Sequence, residues 1–297
     1  MKNKCLICIL LLFILTSSAV FAEEPGDSQA VSTDDSLSQH FLAAGETPVV
    51  TETGYLSENL SIEISMLREN RSDIYVADIW VRDINLLRRG FGGGKYRTKM
   101  QTVAKIAAQE NAILALTGDN GHNFGKGYVY ANGTLLQKKT NNKRDICLIL
   151  TDGSMEVLSG KEMTAEKAAE LEGRIWQSFL FGPGLFDDDG KAITKFSGGV
   201  SPKNPRAVIG YYEPGHYCLV QVDGRGTKSR ESGKNVGLTL KDLAAFMESL
   251  GCKEAYNLDG GQSALMWYNG KVISNPYHGG RNVGDIVYVT DKPFTSQ

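Results

Sequence analysis

Apolar and polar residues alternate with a period of two over much of this chain, and only a few short stretches switch to the helical period. Residues 60–67 alternate and residues 73–81 are rich in β-branched and aromatic side chains, so both predict strands. Residues 98–110 carry Met100, Val103, Ala104, Ala107 and Ala108 at helical spacing and lead into a strand at 112–116. Hairpins are predicted around Asn132-Gly133, Asp152-Gly153, Pro214-Gly215 and Asn269-Gly270, because each turn dipeptide lies between runs of β-formers. Thr164 opens a short helix, and residues 175–180 read as a strand. Residues 239–250 form the clearest helix. Thr239 can cap it, Gly251 can close it, and Leu240, Leu243, Ala244, Met247 and Leu250 make one apolar face that must pack on a sheet. A last strand covers 286–289. Strands and helices do not alternate as βαβ units, which disfavours a Rossmann fold or a TIM barrel. The expectation is an α+β (mixed α/β) fold, a strand-rich single domain over residues 49–292 with hairpins and a few helices packed on the sheet.

The ends of the chain read differently. Lys2 and Lys4 precede an apolar run at 5–15, and Val20-Phe21-Ala22 offers small residues at a cleavage point. This predicts a secretory signal peptide over 1–22, since a membrane span needs about 20 apolar residues. Residues 23–48, rich in Ser, Thr, Asp and Glu, read as a disordered linker or a weakly ordered lead-in. The mature protein is therefore expected to be secreted or extracytoplasmic, with no integral span after cleavage. Cys5 and Cys8 leave with the signal, and Cys147, Cys218 and Cys252 remain, too few for a disulfide scaffold but enough for one bridge. A formal net charge of −2 gives no global field for nucleic acid, and no nucleic-acid motif is present.

Candidate chemistry lies at four glycine-marked junctions that follow strands. They are Thr117-Gly118-Asp119-Asn120-Gly121, Phe181-Gly182-Pro183-Gly184, Asp223-Gly224-Arg225, and Asn257-Leu258-Asp259-Gly260-Gly261-Gln262-Ser263. The last is the most informative. A strand carries a carboxylate to its end, and two glycines leave bare backbone amides beside the Ser263 hydroxyl. Each junction alone reads equally as a turn. Arg206 and Arg281 add guanidinium groups next to strands. His122, His216 and His278 are scattered without ligand spacing, and Gly92-Gly93-Gly94-Lys95 lacks the spacing of a phosphate loop.

The ordered set Asn204-Pro-Arg-Ala-Val-Ile-Gly, Val-Asp-Gly-Arg, Gly-Leu-Thr-Leu-Lys-Asp-Leu-Ala, Leu-Gly-Cys and Ala-Tyr-Asn-Leu-Asp-Gly-Gly-Gln-Ser, followed by Arg281, resembles the phosphodiester glycosidase family. The resemblance runs from about Ala112 to Val289. The chain departs from it at Thr117, where Asn is usual, and at Gln262, where a third glycine is usual. What the resemblance implies is hydrolysis of a sugar–O–phosphate diester at the anomeric carbon, on phosphodiester-linked sugars or polysaccharides of the envelope. Phosphate calls for arginine, whose planar fork gives paired charged hydrogen bonds, and the cationic sugar calls for carboxylates. Asp259, Asp223 and Asp119 are the candidate catalytic acids. Arg206, Arg225, Arg281, Gly260, Gly261, Ser263 and Asn257 are the candidate substrate-binding residues. No cofactor is required by any motif, and the aspartates leave room for a divalent metal. The alternatives are a metal-dependent phosphodiesterase and a non-catalytic glycan-binding envelope protein.

Overall fold

A computed structural model describes residues 35–119, 127–141, 143–292 and 294. The signal peptide read over 1–22, most of the linker, and Asn120, Gly121 and His122 lie outside the described residues. In chain order the first strands are β1 (Val49–Val50), β2 (Gly54–Leu56), β3 (Leu60–Glu69), β4 (Ser72–Val81) and β5 (Leu87–Phe91). There follow β6 (Leu114–Thr117), β7 (Val129–Ala131), β8 (Thr134–Gln137), β9 (Ile146–Leu150), β10 (Met155–Leu158) and β11 (Ile175–Phe179). The last are β12 (Arg206–Glu213), β13 (His216–Val222), β14 (Glu254–Asn257), β15 (Met266–Tyr268), β16 (Lys271–Val272) and β17 (Asp285–Val289). The helices are α1 (Asp35–Ser38), α2 (Val103–Gln109), α3 (Ala165–Glu170) and α4 (Leu240–Ser249).

Two antiparallel sheets dominate. One has seven strands in the order β1-β2-β3-β4-β13-β12-β14, and the other five in the order β16-β15-β6-β17-β5. Period-two alternation explains how they stack, because successive side chains point to opposite faces. On β13, Tyr217 and Leu219 enter the core between the sheets, whereas Cys218, Val220 and Val222 face α4. On β17, Val287 and Val289 enter that same core, whereas Ile286 and Tyr288 face α2. The layers are therefore helix, sheet, sheet, helix. A smaller sheet, β10-β9-β11, and the β7–β8 hairpin enclose a core of their own with α3. The fold is strand-rich α+β, as the sequence pattern predicts.

Local chemistry sets the helix limits. The Thr239 hydroxyl accepts from the Asp242 amide at 3.1 Å, and Leu240, Leu243, Ala244 and Met247 are buried on the seven-stranded sheet. Thr102 caps α2 in the same way, so this helix begins five residues later than the predicted 98. Strands β1, β2 and β5 are not among the elements the sequence pattern predicts, β5 because its Arg88-Arg89 pair does not look like an interior strand. Before β1, His40 stacks on Trp80 with ring centroids 3.6 Å apart and Trp80 stacks on His216 at 3.8 Å. Cys147, Cys218 and Cys252 are buried free thiols, the last two with sulfurs 3.7 Å apart. Among the described residues, no helix is long and apolar enough to cross a membrane.

Candidate active site

The ends of β6, β12 and β14 meet at one edge of the stacked sheets. β14 pairs with β12, which places Asn257 opposite Val208, and Leu258 extends this by donating to the Ala207 carbonyl at 2.8 Å. Asp259 is thereby carried to the sheet edge, where its amide donates to the Gly118 carbonyl beyond β6 at 3.0 Å. Two glycines follow for steric reasons. A Cβ at Gly260 would stand 2.7 Å from the Pro205 carbonyl oxygen, and one at Gly261, where φ is +62°, would stand 2.9 Å from Arg225. The turn closes through Ser263 N–H to the Gly260 carbonyl at 3.1 Å, and the Thr117 hydroxyl donates to the Ser263 carbonyl. Thr117, a departure from the family pattern, thus holds the Asp-Gly-Gly turn against β6.

A polar cleft of about 280 Å³ opens here, lined by Phe181, Asn204, Arg206, Arg225, Asp259, Gly260, Gly261, Gln262 and Arg281, with Gly199 and Val200 at its mouth. The Asp259 carboxylate accepts from Arg281 Nη2 at 3.1 Å, and Arg281 Nε donates to the Ser263 hydroxyl at 2.5 Å. Asp259 is 6% exposed, and this desolvation raises its pKa against the opposing pull of Ser263 and Arg281. Arg206 is 2% exposed, and its Nε and Nη2 donate to the carbonyls of Leu238 at 2.9 Å and Pro202 at 2.5 Å. Among the described residues no carboxylate pairs with it, and burial alone lowers its pKa to about 10, so it stays cationic at neutral pH. Arg225 is exposed. Its Nε donates to Asn204 Oδ1 at 2.9 Å, and its guanidinium lies 5.4 Å above the Tyr277 ring. Gln262, the other departure, donates to the Gly280 carbonyl at 3.1 Å and so ties down the loop that carries Arg281.

The structure gathers Asp259, Arg206, Arg225, Arg281, Gly260 and Gly261 around one cleft, with Ser263 behind it. It does not gather the other two acids. Asp223 follows Val222, which pairs with Arg206, so alternation turns Asp223 to the opposite sheet face. There it is fully buried and both its oxygens accept from the Asn275 amide, with desolvation raising its pKa to about 6. Asp119 is 2% exposed beneath the cleft, accepts from the Leu180 amide at 2.6 Å, and lies 3.5 Å from Arg89. Arg89 also binds Asp285 at 2.6 Å, making a sealed triad under the site. Asn257 is buried and donates to the Gly182 carbonyl at 2.8 Å, so it fixes the loop bearing Phe181 and does not face the cleft. Asp119 and Asn257 thus position the site, and Asp223 lies apart from it. Sequence reasoning missed Asn204 as a lining side chain, and it missed Arg89 and Asp285. An arginine in an otherwise apolar run and an aspartate opening the last strand were the available signals. Among the described residues, no group of three or more His, Cys, Asp or Glu is arranged to hold a metal ion.

A buried carboxylate beside a serine, facing guanidinium groups that lack acid partners, is the kind of site that hydrolases of anionic ester-linked substrates present. The phosphodiester glycosidase family model matches residues 104–290, and the chain belongs to that family. A Bacillus subtilis (strain 168) relative, the SPbeta prophage-derived uncharacterized protein YomE, is 27% identical over 185 residues, which is 60% of this chain and 28% of that protein. In fold, the chain is similar to the catalytic domain of zebrafish N-acetylglucosamine-1-phosphodiester alpha-N-acetylglucosaminidase auto-inhibited by its pro-peptide. That likeness has a TM-score of 0.58 at 19% identity, and covers 78% of this chain and 83% of that one. A hypothetical protein from Synechocystis gives a TM-score of 0.59 at 13% identity, with 78% of this chain and 62% of that one covered. The chain thus spans well under a third of the Bacillus protein and somewhat under two thirds of the Synechocystis protein.

Proposed function

We propose that this protein is an extracytoplasmic hydrolase that removes a sugar from a sugar-1-phosphodiester by cleaving between the anomeric carbon and its oxygen. The observation that carries this reading is Arg206, a buried guanidinium with no acid partner among the described residues, lining the same cleft as Asp259. A cation held in a desolvated site without a counter-charge favours an anionic ligand, and a phosphodiester supplies one. Arg225 and Arg281 reinforce the positive side of the cleft. Among the described residues Asp259 is the one carboxylate that lines it, and it serves as base toward water or as nucleophile toward the anomeric carbon. Asp259 is paired through Arg281, so the ionised form is available once the pH exceeds its raised pKa. The departing phosphomonoester is a good leaving group, so guanidinium stabilisation substitutes for strong acid assistance. Membership of the phosphodiester glycosidase family supports the same chemistry. The experiment is hydrolysis of a sugar-1-phosphodiester in oxygen-18 water. Label in the sugar agrees with the proposal, whereas label in the phosphate assigns cleavage to the phosphorus–oxygen bond.

A further inference from the structure

Charge is unevenly distributed in this chain. Residues 84–109 hold six lysines and arginines without a single acid, and residues 120–144 hold five, again without an acid, although the formal net charge is −2. Arg88 and Arg89 turn into the protein, but Lys95, Arg97, Lys99, Lys138, Lys139 and Lys143 are exposed. None of these six has an ion-pair partner among the described residues. Folding joins the two runs. Arg97 Nη1 donates to Gln137 Oε1 at 3.3 Å, next to Lys138. Lys138, Lys139 and Thr140 border an open hollow of about 610 Å³ whose floor is Tyr128. The basic surface then reaches the cleft. Gly127, beside Tyr128, packs on Leu180, the residue before Phe181, and Arg144 Nη1 donates to the Phe181 carbonyl at 2.9 Å.

We propose that this basic surface is an extended subsite for a polyanionic substrate, a glycan chain whose sugars are joined through repeated phosphodiesters. The proposal rests on the function proposed above and narrows its substrate class. A single sugar-1-phosphodiester is accommodated by Arg206, Arg225 and Arg281 alone. A run of unpaired cations leading away from the cleft rim gains nothing from such a substrate, but matches a chain carrying one negative charge per repeat. An anionic bilayer is the other polyanion such a surface meets. Leu135 and Leu136 are exposed there, but they lie on a four-residue strand with a bulge in its pairing to β7, not on the long amphipathic helix that settles into a lipid surface.

The test compares Lys138→Gln/Lys139→Gln with the unaltered full chain on a short synthetic sugar-1-phosphodiester and on a polymer of phosphodiester-linked sugars. Binding of the polymer is measured in parallel in an Asp259→Asn background, which needs no turnover. The expected result is a fall of about tenfold in kcat/KM on the polymer, a change within about twofold on the short substrate, and a polymer advantage that disappears as salt rises. Equal effects on both substrates, or none on either, overturn the proposal and leave the proposed function standing. If neither substrate is hydrolysed but polymer binding falls in the lysine variant, the proposed function fails and the surface stands. Polymer binding that ignores the lysines, together with lysine-dependent binding to vesicles of anionic phospholipid, assigns the surface to a membrane instead.

Discussion

Two constellations of arginine and aspartate lie one above the other in this molecule, and their fates differ. In the sealed one, Arg89 is fully buried between Asp285 and Asp119, bracketed by the rings of Phe91 and Phe179. In the open one, Arg206 and Arg225 face a cleft with hydrogen bonds to carbonyl or amide oxygens, and Asp259 forms its ion pair with the half-exposed Arg281. The residue types are the same; the balance of charge and solvent is not. A buried arginine saturated by acids is structural, because removing either partner leaves a desolvated charge. A desolvated arginine with no acid beside it stays ready for an anion that the protein does not itself provide.

The contrast is broken most severely at Arg89. Arg89→Met should cost about 3–5 kcal/mol, since it strands two buried carboxyls. Chemical denaturation reads this directly, and a variant as stable as the parent would remove the distinction. Next in size, Arg206→Gln should raise KM for a phosphodiester roughly 10–100-fold, in line with loss of a charge-assisted hydrogen bond. Its melting temperature should fall far less than that of the Arg89 variant. A smaller effect is expected with pH. In the sealed cluster desolvation outweighs Arg89, and with Asp119 as a like charge the Asp285 carboxyl is pushed from 3.8 up to about 7. The fold therefore favours protonated Asp285. That stabilisation is complete below pH 3.8 and is lost as the pH rises through about 7. Asp285→Asn should flatten the decline in melting temperature over that window, and an unchanged decline would place the titration elsewhere. Least of all, Arg281→Gln should leave the fold intact and move the acidic limb of the activity profile upward. It removes a charge that lowers the Asp259 pKa, so an unmoved limb would show that another group governs it.

Much of this was legible in the chain, and the gaps have physical reasons. The hairpins announced themselves through Asn-Gly, Asp-Gly and Pro-Gly dipeptides, and α4 through its capping threonine and apolar stripe, because those signals are local. Asp259 was legible for a similar reason, with two glycines and a serine marking a turn that must come close to other backbone. Asp223 was misread. Asp223 and Arg225 are two residues apart and both are candidates for the site, yet strand alternation sends Asp223 between the sheets and leaves Arg225 at the cleft. Asp119 was read as catalytic although its carboxylate is used on the Leu180 amide and near Arg89. The sealed triad joins residues 89, 119 and 285, and such separations leave no mark in a window of sequence.

The central claim is that Asp259 works on substrate while the acids beneath it hold the fold. Side-by-side turnover of a sugar-1-phosphodiester by the parent protein and by Asp259→Asn, each with its thermal melt, tests it most directly. The account predicts a loss of turnover of about a thousandfold or more with the melting temperature nearly unchanged. Retained hydrolysis by a folded Asp259→Asn protein would contradict it.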